Sequence, residues 1–94
     1  MALLGDDEVE QQLATLAGWQ RAQGAAITRE LKLADFAAAI AFVDRVAVLA
    51  EAANHHPDML VHGWNNVRLT LSTHSAGGLT DADFALAHEI DRLL

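Results

Sequence analysis

Apolar residues recur along this chain with two different periods, and the alternation between them outlines a fold. Val9, Leu13, Leu16 and Ala17 follow the i, i+4, i+7, i+8 spacing of a helix face, with Glu8 and Glu10 in the first turn. Asp6 or Asp7 is placed to cap this helix and Gly18 to stop it. Trp19 to Ala22 and Ile27 to Leu33 read as two strands around a turn at Gln23-Gly24. In the second strand Ile27, Leu31 and Leu33 share one face, interrupted by Arg29, while Thr28, Glu30 and Lys32 share the other. Asp35 to about Ala53 carries the strongest helical pattern. Phe36, Ile40, Val43, Ala47 and Ala50 form one stripe, with Phe42, Val46, Leu49 and Ala53 beside it, in an apolar arc of about 160°. Asp44, Val48 and Glu51 fall on the opposite side among alanines.

Asn54 is a plausible helix terminator, and Pro57 pushes His56 out of helical geometry. Met59 to Trp64 and Val67 to His74 then read as a hairpin turning at Asn65-Asn66. Val67, Leu69 and Leu71 alternate with Arg68, Thr70 and Ser72, which puts His74 in register with the polar face. Gly77-Gly78 breaks the chain, and Thr80-Asp81-Ala82-Asp83 resembles a capping box with Asp83 in place of the usual Glu. A last helix runs through Phe84, Ala87, Ile90 and Leu94. The order α-β-β-α-β-β-α predicts an α+β fold, a four-stranded antiparallel sheet with three helices on one face.

Composition narrows the functional classes. Ninety-four residues form one small domain spanning 1–94, and 19 of the apolar residues are Ala, so the core is small and association would enlarge it. Alanine on both sides of the long helix permits close helix approach, or simply reflects helix propensity. Six basic against thirteen acidic residues give a net charge of −7, which disfavours direct binding to nucleic acid or anionic lipid. The absence of cysteine excludes disulfides, thiolate nucleophiles and Cys-ligated metal. The longest apolar run, from Phe36 to Val43, is too short to cross a bilayer, and residues 1–8 do not resemble a secretory leader. A cytoplasmic protein is therefore expected.

Five histidines remain as candidate chemistry. Glu51, His55 and His56 crowd the end of the long helix, His74 ends a strand, and Asp83 opens the last helix. Imidazoles exist in both protonation states near neutral pH, and a neighbouring carboxylate fixes the ring's tautomer. With no serine elbow and no cysteine, the set points to acid–base rather than covalent chemistry. Each residue also has a plainer reading: Asp83 as a helix cap, His74 as a solvated strand residue, Trp64 as core or pocket wall, Arg68 as a surface charge. His62 and His88 read as structural or surface. No metal site is expected, because neither the i, i+4 His pair on a helix nor Cys partners are present.

Glu51, then His55-His56-Pro57, with six residues between Pro57 and Trp64, nine between Trp64 and His74 and eight between His74 and Asp83, resembles the pterin-4a-carbinolamine dehydratase family. Gly18-Trp19, Asp35-Phe36, Ser72-Thr73-His74 and the Gly78-Leu79-Thr80 approach to Asp83 extend the resemblance over essentially the whole chain. It implies dehydration of 4a-hydroxytetrahydropterin to quinonoid dihydropterin, recycling the cofactor of aromatic amino-acid hydroxylases. By this resemblance His55, His56, His74 and Asp83 are catalytic, His56 and His74 being first choices for the proton-transfer pair. Glu51, Pro57 and Trp64 would bind the substrate, and no metal or redox cofactor would be required. A homodimer or homotetramer is implied as well. The same fold also resembles non-catalytic dimerisation cofactors and assembly chaperones, a role that would leave the histidines free of catalytic constraint.

Overall fold

A computed structural model describes residues 2–23 and 25–94 of the protein. Its elements follow in the order α1 (Asp6–Leu13), β1 (Gln20–Ala22), β2 (Ala26–Lys32), α2 (Phe36–Ala53), β3 (Asp58–His62), β4 (Asn66–Leu71), a 3₁₀ turn (His74–Ala76) and α3 (Asp81–Asp91). The strands form one antiparallel sheet in the spatial order β1-β2-β4-β3. In β4, Val67, Leu69 and Leu71 are fully buried while Arg68 between them is exposed, so one face of the sheet is covered and the other open. Ala39, Phe42, Val46 and Ala50 of α2, Val9 of α1 and Phe84, Ala87 and Ile90 of α3 complete the core. The architecture is the α+β fold that the periodicity predicts.

Arg29, the residue that interrupts the apolar face of β2, points into the covered side and fastens three segments together. Its guanidinium donates to the Ala17 carbonyl (2.7 Å) and to Asp91 Oδ1 (3.1 Å), which also accepts the Trp19 indole N–H (2.9 Å). The loop after α1, strand β2 and the end of α3 are thereby joined at one carboxylate. Gly18 passes over this clasp with φ +86°, and a Cβ there would lie 2.9 Å from the guanidinium carbon of Arg29. Position 18 is a glycine for both steric and conformational reasons.

Several local details differ from the expectations. α1 is capped at Gly5 rather than at an aspartate, because Asp6 Oδ1 is engaged by Arg21 and Glu8 reaches back to the Gly5 N–H (3.1 Å). It ends at Leu13 instead of continuing to Gly18, since Thr15 and Leu16 tighten onto the Gln12 and Leu13 carbonyls; Leu16 is nevertheless buried. The hairpin turns at residues 63–65, not at Asn65-Asn66. Asn65 is drawn inward by accepting the Leu33 N–H at its carbonyl (2.8 Å) and donating its side-chain amide to the Leu33 carbonyl (2.9 Å). In α2 the Phe42–Val46 side is buried, whereas Phe36 and Ile40 of the other stripe are exposed. The turn expected at Gln23-Gly24 falls at Gly24 outside the described residues.

On the open face, Glu30 stands opposite Arg68 and accepts from its Nε (2.5 Å) and from His62 Nε2 (3.1 Å). Partial burial raises the Glu30 carboxyl, but the hydrogen bonds and charges of His62 and Arg68 outweigh it and hold the pKa below the usual carboxylate value. A depressed folded pKa stabilises the fold above the unfolded value, and that contribution is lost as pH falls through the folded one. The melting temperature of Glu30→Gln is therefore expected to fall less than that of the parent as pH drops through the acidic carboxylate range. Parallel curves would show the cluster to be energetically silent. At the clasp, Asp91→Ala leaves two partly buried donors without their acceptor and is expected to cost about 1–3 kcal/mol in urea unfolding.

Candidate active site

The site is assembled where α2, β4 and α3 end or begin. Asn54 terminates α2 in left-handed geometry, and the His55 N–H bonds back to the Ala50 carbonyl (3.0 Å). This closure turns the His55 ring, mostly buried, toward the start of α3, where Asp83 is completely buried. His55 Nε2 lies 2.6 Å from Asp83 Oδ1. The other oxygen, Oδ2, accepts from Thr73 Oγ1 (2.8 Å) and from the Thr80 N–H (3.0 Å). An ionised carboxylate only accepts, so with Asp83 ionised His55 donates from Nε2.

Asp83 is at once a helix cap and a member of the site. Its bond to the Thr80 N–H closes the capping box that opens α3, and the same carboxylate orients His55. One carboxylate has two oxygens, and the N3 position of the helix aims one back at the chain and leaves the other free.

Asp58 pairs with Thr70 across β3 and β4. Continuing that antiparallel count beyond the strands brings residues 55–56 level with 72–73, at the end of the sheet where the 3₁₀ turn begins. His56 is exposed and its Nε2 is hydrogen-bonded to the exposed Glu51 carboxylate, in the last turn of α2. His74 is not in β4, which ends at Leu71; it opens the 3₁₀ turn and is exposed. That turn is closed by Thr73, whose N–H donates to the Gly78 carbonyl (2.8 Å) and whose carbonyl accepts from Ala76 and Gly77 (both 3.0 Å).

His55 and His74 border different concave surfaces, and His56 lines neither of the two. His55 ends an apolar groove of about 350 Å³ between α2 and α3, floored by Leu49, Ala53, Ala82 and Leu86. His74 lines a more polar cleft of about 320 Å³ at the end of the open sheet face, with Asp58, Thr70 and Ser72. Pro57 links His56 to the first residue of β3 and holds the backbone extended there.

Trp64 is not brought to this site. It sits at the tip of the β3–β4 hairpin with φ +59° and 62% exposure, a five-residue strand or about 16 Å from Asp58. The neighbouring Asn65 pairs with Leu33, just before α2, whereas His55 follows α2's far end. An 18-residue helix separates those ends by about 27 Å. Sequence spacing counts residues along a hairpin and does not reveal that the turn faces away. Thr73 and Thr80 are the residues that sequence reasoning missed as site members. The only hint was their place beside His74 and in the capping box.

Among the described residues no group of three or more His, Cys, Asp or Glu side chains is arranged to hold a metal ion, and no helix is long and apolar enough to cross a membrane.

The sequence profile of the family described as pterin 4 alpha carbinolamine dehydratase matches residues 2–93. The chain belongs to that family. A relative in Roseiflexus castenholzii, provisionally named pterin-4-alpha-carbinolamine dehydratase, is 54% identical over 99% of this chain and 98% of its own length. One in Mycobacterium tuberculosis with the same provisional name is 46% identical over 99% and 97%. The solved structure of a transcriptional coactivator/pterin dehydratase from Brucella melitensis superposes with a TM-score of 0.90 at 37% identity, covering 96% of each chain. A pterin dehydratase-like protein described as a RuBisCO assembly factor in the alpha-carboxysome shares the fold at TM-score 0.67 and 26% identity, over 81% of this chain and 88% of its own.

At this site the chain holds a carboxylate–imidazole pair whose geometry depends on Asp83. Replacing Asp83 by Ala removes the common acceptor of His55, Thr73 and the Thr80 N–H. The expected cost is about 2–4 kcal/mol, read as a lower urea midpoint with loss of helical signal at the α3 end. Asp83→Asn, which keeps a carbonyl oxygen for one donor, should fall between the two.

Proposed function

We propose that the protein is a 4a-hydroxytetrahydropterin dehydratase working by histidine acid–base catalysis. The observation that carries this reading is the buried Asp83 carboxylate holding His55, beside the His56–Glu51 pair and the loop that presents His74. An imidazolium protonates the hydroxyl at the 4a carbon, the carbon–oxygen bond breaks, and water leaves. A neutral imidazole takes the proton from ring nitrogen 5, whose electron pair forms the new double bond to carbon 4a. Atoms and charge balance without a redox partner. His56 and His74, both exposed, are assigned the proton transfer, His55 assists, and Asp83 orients it. Glu51 and Pro57 border the substrate; Trp64 of the same chain stands too far away to join them.

The reading takes residues 1–94 as one catalytic domain acting in the cytoplasm on a small pterin, with no nucleic acid partner. It includes a homodimer or homotetramer. Phe36, Ile40 and Val48 of α2 are exposed, and β3 forms an unpaired edge of the sheet beside that helix. Light scattering should give a mass above that of the 10.1 kDa monomer at micromolar concentration; a stable monomer would contradict this part of the proposal.

The second reading is a non-catalytic assembly or dimerisation role, supported by the fold it shares with the RuBisCO assembly factor. Stopped-flow decay of 4a-hydroxytetrahydropterin, with and without the protein, separates the two. His56→Ala and His74→Ala are each expected to slow the catalysed reaction by roughly 10²–10⁴-fold, with the double variant losing less than the product. His88→Ala serves as the control, since His88 contacts Thr15 on α3's opposite flank. If both single variants fold and keep full activity, the assignment of the proton transfer to His56 and His74 fails; if the parent does not accelerate the decay, the assembly role replaces the enzyme.

A further inference from the structure

Thr73 stands between the two parts of the site. Its side chain is buried and donates to Asp83 Oδ2 (2.8 Å), while its main chain closes the loop that carries His74. A hydroxyl has one proton. With the Thr73 proton directed to Asp83, the 2.8 Å contact between the Thr73 and Thr80 hydroxyls is a donation from Thr80. The bonds therefore run in one direction, from Thr80 to Thr73 to Asp83, and His55 donates to the same carboxylate from the other side.

We propose that Thr73 is a positioning residue: it locks the plane of the Asp83 carboxylate so that Oδ1 holds the proton of His55 on Nε2. A carboxylate held at Oδ2 by the Thr80 N–H alone retains rotation about its terminal torsion, and Oδ1 then swings off the His55 ring. The second donor removes that freedom. Holding the proton at Nε2 leaves Nδ1 as the acceptor nitrogen that His55 presents, and this fixed orientation is how it assists His56 and His74; orienting the ring is the role a partner carboxylate plays for a functional imidazole. Because the Thr73 N–H and carbonyl are both tied to residues 76–78, the alignment of His55 is set by the same loop that places His74. The inference rests on the dehydratase reading for its effect on rate, but the alignment of His55 exists independently of it.

The test compares the parent with Thr73→Val, which keeps the shape and removes the donor, and Thr73→Ser, which restores it. Thr73→Ala is a smaller fallback if the valine variant fails to fold. Long-range proton–nitrogen NMR of the ¹⁵N-labelled protein, recorded where the ring is neutral, reads the His55 tautomer. The parent and Thr73→Ser should show the Nε2–H form, and Thr73→Val a mixture with Nδ1–H. Kinetically, kcat should fall by about 10–100-fold in Thr73→Val with KM nearly unchanged, as for other partners that orient a functional imidazole, and Thr73→Ser should recover most of it. A folded Thr73→Val or Thr73→Ala variant with a pure Nε2–H tautomer and full kcat overturns the proposal. If the parent does not dehydrate the pterin, the function reading fails and the spectra alone decide: a changed tautomer upholds the coupling, an unchanged one ends it.

Discussion

A carboxylate without a single water-exposed atom must find hydrogen-bond donors inside the protein, because an unpaired buried charge is among the most costly features a fold can carry. Asp83 meets this demand with three: the Thr80 N–H from its own helix start, the Thr73 hydroxyl from beyond the end of β4, and the His55 imidazole from beyond the end of α2. Those donors come from three segments that are distant in sequence. Satisfying one side chain therefore fixes how the sheet, the long helix and the last helix meet. The site's geometry follows from the electrostatics of burial as much as from any requirement of catalysis.

The opposite end of α3 repeats the device with Asp91, which gathers Trp19 and Arg29. Here the pair is partly exposed and no titratable ring is involved, so the result is mechanical. α3 is thus pinned at both ends by carboxylates, while its middle packs through Phe84, Ala87 and Ile90. A helix held in this way keeps its first turn, and hence Asp83, from drifting relative to the sheet. That matters for acid–base chemistry, where reach must be held within hydrogen-bond distance.

The arrangement also divides the histidines by environment. His55 is sheltered and has its Nε2 committed to Asp83, while His56, paired with the exposed Glu51, and His74 lie at the surface. Such a division suits one ring that is aligned and two that exchange protons. The family relationship gives this a chemical context, and the same fold occurs in a protein described as a RuBisCO assembly factor.

Periodicity was enough to determine the sheet and helices, because burial of one face imposes period two on Ile27, Leu31, Val67, Leu69 and Leu71 and period 3.6 on Phe42, Val46 and Ala50. The helix-ending Asn54 and the Thr80 cap were equally legible, since their chemistry is local. What the sequence left ambiguous was anything settled by contact between distant segments. Arg29 looked like a flaw in a strand until Asp91 and the Ala17 carbonyl came to meet it, and Phe36 and Ile40 looked like core until α2 took its rotation over the sheet. Trp64 carried the right spacing but the hairpin pointed it to the other end. Asp83 was both cap and partner of His55, and only the folded chain shows this, because the second oxygen's partner lies 28 residues away in sequence and 2.6 Å away in space.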